Sequence, residues 1–82
     1  MYEEIGENIV VGAIFKSSSI VPRWFIWNRK KYTVKKTTYI WKNNNGEEKI
    51  YNFDVTDGAN VFELSYNAKT ANWVLNKVYV EG

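Results

Sequence analysis

Apolar positions along the chain come in short runs, and most of those runs alternate with polar positions at a period of two. Phe62, Leu64 and Tyr66 fall on one parity, with Glu63 and Ser65 on the other. Tyr51, Phe53 and Val55 share a face led by Lys49, and Asn52 and Asp54 take the opposite face. A period of two is that of a half-buried strand. The runs are rich in β-branched and aromatic residues and are separated by Asn, Gly and Asp clusters, which read as turns. This pattern predicts strands over residues 8–16, 23–27, 31–41, 48–55, 61–66 and 72–80. Residues 17–22, "SSSIVP", read as a loop. "NRKK" reads as a tight connection in which Asn28 tolerates a positive φ. "NNNG" at 43–46 predicts an Asn-Gly turn of type I′. The pattern also leaves room for a helix at the N-terminus or within 57–63.

Two predicted strands change parity midway. Tyr32 and Val34 share a face, but past Lys35-Lys36 the large residues are Tyr39 and Trp41. Trp73 and Leu75 likewise give way to Val78 and Val80 past Asn76-Lys77. Such a switch predicts a β-bulge, and bulges bend strands so that a small sheet can roll up. The expected fold is all-β: one domain over residues 1–82, a small, strongly curved antiparallel sheet or open barrel of five to six strands. Phe25, Trp27, Tyr32, Trp41, Phe53, Phe62 and Trp73 are the expected core. Trp24 lies on the face opposite Phe25 and Trp27 beside Arg23, and is the aromatic best placed to be exposed.

Composition narrows the chemistry. Four Trp, six Tyr and four Phe can supply the core of an 82-residue chain, since each aromatic buries about 150–250 Å². Cys and His are both absent. Disulfides, thiolate nucleophiles, thiolate metal sites and histidine general bases are therefore excluded. Ser17, Ser18 and Ser19 have no histidine to activate them. Asp54 and Asp57 flank a turn and suit capping better than cation binding. No cofactor-binding or catalytic residues emerge, and the expectation is a chain that is not an enzyme. The only Met is Met1, the N-terminus is acidic where a secretion signal would be basic, and no apolar run reaches the roughly 20 residues of a membrane span. These features predict a cytoplasmic protein that begins at its natural start.

The segment "PRWFIWNRKKYTV" resembles the Phe-x-Trp-x-x-Arg-x-Tyr-x-Val hairpin motif of a group of small bacterial proteins classed as a domain of unknown function. The matching positions are Phe25, Trp27, Arg29 or Lys30, Tyr32 and Val34. Trp41, "YNFDV", "FELSYN" and the Trp73 to Leu75 stretch extend the resemblance over roughly residues 20–80. It implies a fold and no activity, and it assigns no catalytic residue.

Charge is the strongest functional signal. Residues 8–46 hold no acid and eight bases: Lys16, Arg23, Arg29, Lys30, Lys31, Lys35, Lys36 and Lys42. The flanking segments are net acidic, so a formal charge of only +2 hides a divided chain. Such division points to an anionic partner. Two readings follow. In one, a basic hairpin over 23–42 binds single-stranded nucleic acid or another polyanion. Arg23, Arg29, Lys30, Lys31, Lys35, Lys36 and Lys42 would contact the backbone, and Trp24, Tyr39 or Trp41 would stack on a base. In the other, the chain is a protein–protein adaptor that uses an exposed strand edge or a patch centred on Trp24. Against both stands the option that the bases face acids on neighbouring strands or guard a strand edge.

Overall fold

The computed structural model describes residues 1–80. Seven strands account for most of them: β1 (Tyr2–Lys16), β2 (Ser19–Trp27), β3 (Lys30–Thr33), β4 (Lys36–Asn45), β5 (Glu48–Thr56), β6 (Val61–Asn67) and β7 (Asn72–Tyr79). All pairings are antiparallel, in the order β3-β2-β1-β7-β6-β5-β4. β3 and β4 therefore lie at opposite ends of the sheet although only two residues separate them in the chain. Those two residues hold the ends together. Val34 donates its N–H to the carbonyl of Arg23 in β2, and Lys35 donates to the carbonyl of Thr56 in β5, each at 2.8 Å. The sheet must roll up to satisfy both bonds. β3 and β4 do not pair, so the result is an open barrel with a seam between β2–β3 on one side and β4 on the other.

The expected all-β, strongly curved sheet is the observed one, with seven strands where five to six were expected. The extra strand comes from residues 31–41. The parity switch at Lys35-Lys36 is no bulge within one strand; the chain leaves one end of the sheet there and joins the other. Each N–H finds a partner on a different strand, which a bulge could not provide. A bulge does occur in β4, at Thr38, between the pairs Thr37 with Val55 and Tyr39 with Asp54. The switch past Asn76 is a bulge as expected: Lys77 pairs with Glu63 and Leu75 with Leu64, leaving Asn76 unmatched.

Two turns and a loop also differ from the sequence reading. Ser17 and Ser18 alone form the connection after β1, and Ser19 already pairs with Lys16. Pro22 lies inside β2, where proline is tolerated on a free edge or beside an irregularity. Here that irregularity is Arg23, bulged out between the pairs Gly12 with Trp24 and Ala13 with Pro22. Around "NNNG", Asn45 pairs with Glu48, and Gly46 takes φ 65° at the first position of a two-residue turn. That is the geometry of type II′, not I′. The I′ turn occurs instead at Asn28 (φ 55°) and Arg29 (φ 64°). Residues 2–7 continue β1, and 57–60 form a turn, so neither holds a helix.

Inside the barrel, Phe25, Phe53, Val55, Phe62, Leu64, Trp73, Leu75 and Val78 form one buried cluster. Phe25 stacks on Tyr32 at 5.1 Å and meets Phe62 edge-on at 5.0 Å, linking β2 and β3 to β6 through the interior. Trp27 and Tyr32 are half-buried against this cluster. Trp41 corrects the core expectation. It is half-buried, pairs with Asn52 on the outer face and lies 5.3 Å from the exposed Tyr39, because the bulge at Thr38 places Ile40, itself 58% exposed, on the inner parity opposite Phe53 instead.

Candidate functional site

The seven basic residues singled out from the sequence do not form one hairpin over 23–42. Arg23 to Thr33 belong to the β2–β3 hairpin; Lys36 and Lys42 sit on β4 at the other end of the sheet. Rolling the sheet brings both groups to the same side. Arg23, Arg29, Lys30, Lys31, Lys35, Lys36 and Lys42 all lie on β2, β3, β4 or the connections between them, which are the strands flanking the seam. All seven are exposed. The acids are not all segregated from them: Glu7 accepts from the Trp27 indole on β2 at 3.2 Å, and Asp57 lies near Lys30. Asp54 and Glu63, with Lys77 beside them, lie on the opposite wall built from β5, β6 and β7.

The bases fall into three local settings. On the outer face of β2 and β3, the Lys31 ammonium stands 5.1 Å from the Trp24 ring centroid, with Arg23 on the adjacent bulge. Near the β5–β6 turn, the stem of Lys35 runs beside Gly58, and Lys30 lies close enough to Asp57 to help hold its carboxyl down. At the far end of the seam, Lys42 points to the inner face, 5.6 Å from the Tyr51 ring. Among the described residues the one ion pair is Lys69 with Glu47, at 3.9 Å. Glu47 therefore does not neutralise Lys42 across its turn, and Glu48 accepts instead from Asn67 at 3.1 Å.

Trp24 is half-buried. Its indole lies against Gly12, the residue it pairs with, and a side chain at position 12 would collide with it. Around it the outer face of β1 and β2 carries Val10, Ile14 and Ile26, all exposed, with Val21 half-buried. A second apolar face on β1 was legible in the sequence, but not that it stays exposed. Its signal was present in the run at 8–16, where apolar residues occupy both parities.

The carboxylates differ sharply. Asp57 Oδ1 accepts from the N–H groups of Ala59 and Asn60 at 2.9 Å each, so it caps its turn as its spacing implied. Burial raises its pKa, but these backbone bonds outweigh burial and leave it lowered. Asp54 is raised, first by burial and then by Glu63 across the strand pair, with Lys77 acting against both. Its Oδ1 is buried with no hydrogen-bond partner. On the same wall Asn76 donates to Glu63 Oε2 at 3.1 Å, and amide and hydroxyl groups link the rest. Asn52, buried, donates to Asn43 Oδ1 and accepts from the Ser65 hydroxyl, both at 2.6 Å. No cluster of three or more His, Cys, Asp or Glu side chains forms among the described residues.

Within the seam, a cavity of about 530 Å³ opens between the β1–β2 turn and β4–β5. Ile20, Ile40, Phe53 and Tyr51 give it an apolar floor, and Lys16 and Lys42 are its only ionisable lining besides Tyr51. Among the described residues no helix is long and apolar enough to cross a membrane. The chain matches no protein-family model, no curated protein and no solved structure.

Proposed function

We propose that the chain is a non-enzymatic binding module that meets an anionic partner on the seam side of the barrel. One observation carries this reading: seven exposed bases flank the seam, and none of them is in an ion pair with a described residue. Cations left unpaired on one side attract a polyanion and release its counterions on contact. Arg29 adds support. It occupies a left-handed position that glycine or asparagine would fill with less strain, as expected where the charge matters more than the turn. The test is amide NMR of the labelled protein titrated with single-stranded DNA, RNA and polyglutamate, at low and then physiological salt. The expected result is a set of shifts on β2, β3 and β4 that fade with salt and weaken in the Lys35→Glu, Lys36→Glu double variant. An unchanged spectrum with all three polyanions at low salt overturns the reading.

A protein partner without an electrostatic component is the second reading, favoured by the exposed apolar row around Trp24. It predicts binding that tolerates salt and is lost in Trp24→Ala.

A further inference from the structure

We infer that the seam is an acceptor for one extended, acidic peptide strand, which pairs with the free edge of β4 and completes the barrel. This rests on the anionic-partner reading and names the partner's class.

Topology comes first. β4 is a 10-residue strand with a single hydrogen-bonded neighbour, β5. Its other edge faces the seam. Across the seam, β3 covers only residues 24–27 of β2, plus the Val34 bond to Arg23. The first residues of β2, Ser19 to Pro22, have β1 on one side and no strand on the other. Two strand edges therefore lie unpaired on either side of the same cavity. A strand laid between them could pair with β4, and an added strand gains affinity from main-chain bonds and specificity from alternate side chains. The free stretch of β2 limits the doubly flanked part to about four residues, roughly 13 Å of extended chain.

Side chains then select the occupant. On an added strand every second residue points inward, toward Ile20, Ile40 and Phe53. Those positions call for apolar residues. The cations at the rim are Lys16 and Lys42, and no acid lines the cavity. Lys42 makes no ion pair with a described residue, and its ammonium rests against Tyr51. Lys42 shares the inner face with Ile40, so the inward position beside it calls for a carboxylate, and outward carboxylates at the other end would meet Lys16. The same placement of Lys42, inward on an edge strand, is also how a protein discourages unwanted pairing. A basic guard repels neutral and basic strands and admits acidic ones, so the two roles agree on what the seam accepts.

The experiment uses the full chain and two eight-residue peptides that alternate Glu with Val and carry one further Glu in place of a terminal Val, to meet the inward Lys42; one of them is N-methylated at every second backbone nitrogen. Amide hydrogen exchange and chemical shifts are followed across β4, with fluorescence anisotropy for affinity. The unmodified peptide should bind and slow exchange along β4. The N-methylated peptide should fail, since it keeps every charge and loses the ladder donors. The Lys16→Glu, Lys42→Glu double variant should bind about tenfold or more weakly, because like charges now face each other, and should accept a Lys-Val peptide in its place. Equal binding of the N-methylated peptide overturns the inference, as does saturation with no protection along β4. A nucleic acid that displaces the peptide from β4, or a dimer in which β4 is already protected, also overturns it. If the peptides leave β4 unchanged while single-stranded DNA or polyglutamate still shifts Arg23, Lys31 and Lys36, the strand acceptor fails and the anionic-partner reading stands.

Discussion

Gly12→Ala tests the contact on which the outer face of β1 and β2 turns. Gly12 has no left-handed φ, so its backbone suits any residue. In an ordinary strand the change from glycine to alanine stabilises by roughly 0.5–1 kcal/mol, because glycine loses more freedom on folding. Here a Cβ at position 12 would fall well inside contact distance of the Trp24 indole at Cε2, Nε1 and Cζ2. A rigid bicyclic ring cannot yield as the tip of a flexible side chain can. Either the indole swings off the sheet or the β1–β2 pairing shifts, and overpacking of this kind costs about 1–3 kcal/mol. The net expectation is a loss of about 1–2 kcal/mol, set by the difference of those two figures.

Urea denaturation of four proteins isolates the cause: wild type, Gly12→Ala, Trp24→Ala and the double variant. With the indole gone, alanine at 12 should stabilise by about 0.5–1 kcal/mol. The coupling between the two sites is then about 2 kcal/mol, within the range seen for residues in contact. In thermal melts, each kcal/mol corresponds to about 4–8 °C for a domain of this size. The slope against urea should not change, since the barrel unfolds from the same surface. Equal effects of Gly12→Ala in both backgrounds would refute the packing of Trp24 on Gly12. They would also release Trp24 as a freely exposed aromatic.

Phe25→Ala should cost about 3–5 kcal/mol, since Phe25 is fully buried and touches both Tyr32 and Phe62; circular dichroism melts should show most of the barrel's stability gone. Asp54→Asn should stabilise the chain at pH 7 by about 1 kcal/mol, the low end of the cost of an unpaired buried polar atom. Asp54 is raised in the folded state, so the fold binds its proton more readily than the unfolded chain does. Its ionisation therefore removes stability as pH climbs from the ordinary value of 3.8 through the raised one. The gain from Asp54→Asn should vanish below that window, and a gain that persists at pH 3 argues against the assignment. Arg29→Gly should stabilise by about 1 kcal/mol, the approximate cost of a left-handed side-chain residue, while weakening polyanion binding in the same preparation.

Much of the barrel was legible because its inner face follows strict alternation. Phe62, Leu64 and Tyr66 on β6, and Tyr51, Phe53 and Val55 on β5, face inward as their parity dictates. The bulge at Asn76 was equally legible, since both flanking halves are apolar on opposite parities. What period alone could not separate was a bulge from a strand break. At Lys35 the two produce the same parity switch, and only the partners of Val34 and Lys35 distinguish them. The partners lie far apart in sequence, on β2 and β5, and no local pattern encodes that. Trp41 failed for a related reason. One inserted residue at Thr38 turns the whole later part of β4 over, so the tryptophan that looked like core became half-buried on the outer face.

The same distinction decides what the basic segment means. Read as one hairpin, residues 23–42 would place Lys31, Lys35 and Lys36 side by side along a single ribbon. Split between two ends of a rolled sheet, they become the two banks of a seam. The clustering survives, but its geometry changes from a flat strip to the margins of an opening. A flat strip would suit any polyanion. Margins with a free β4 edge and an apolar floor of Ile20, Ile40 and Phe53 favour an occupant that is acidic, extended and alternately apolar. The composition of residues 8–46 could reveal the first of those three properties, because charge needs no fold to be counted. The other two depend on which strand edges are left unpaired, and that follows only from the bonds made by Val34 and Lys35.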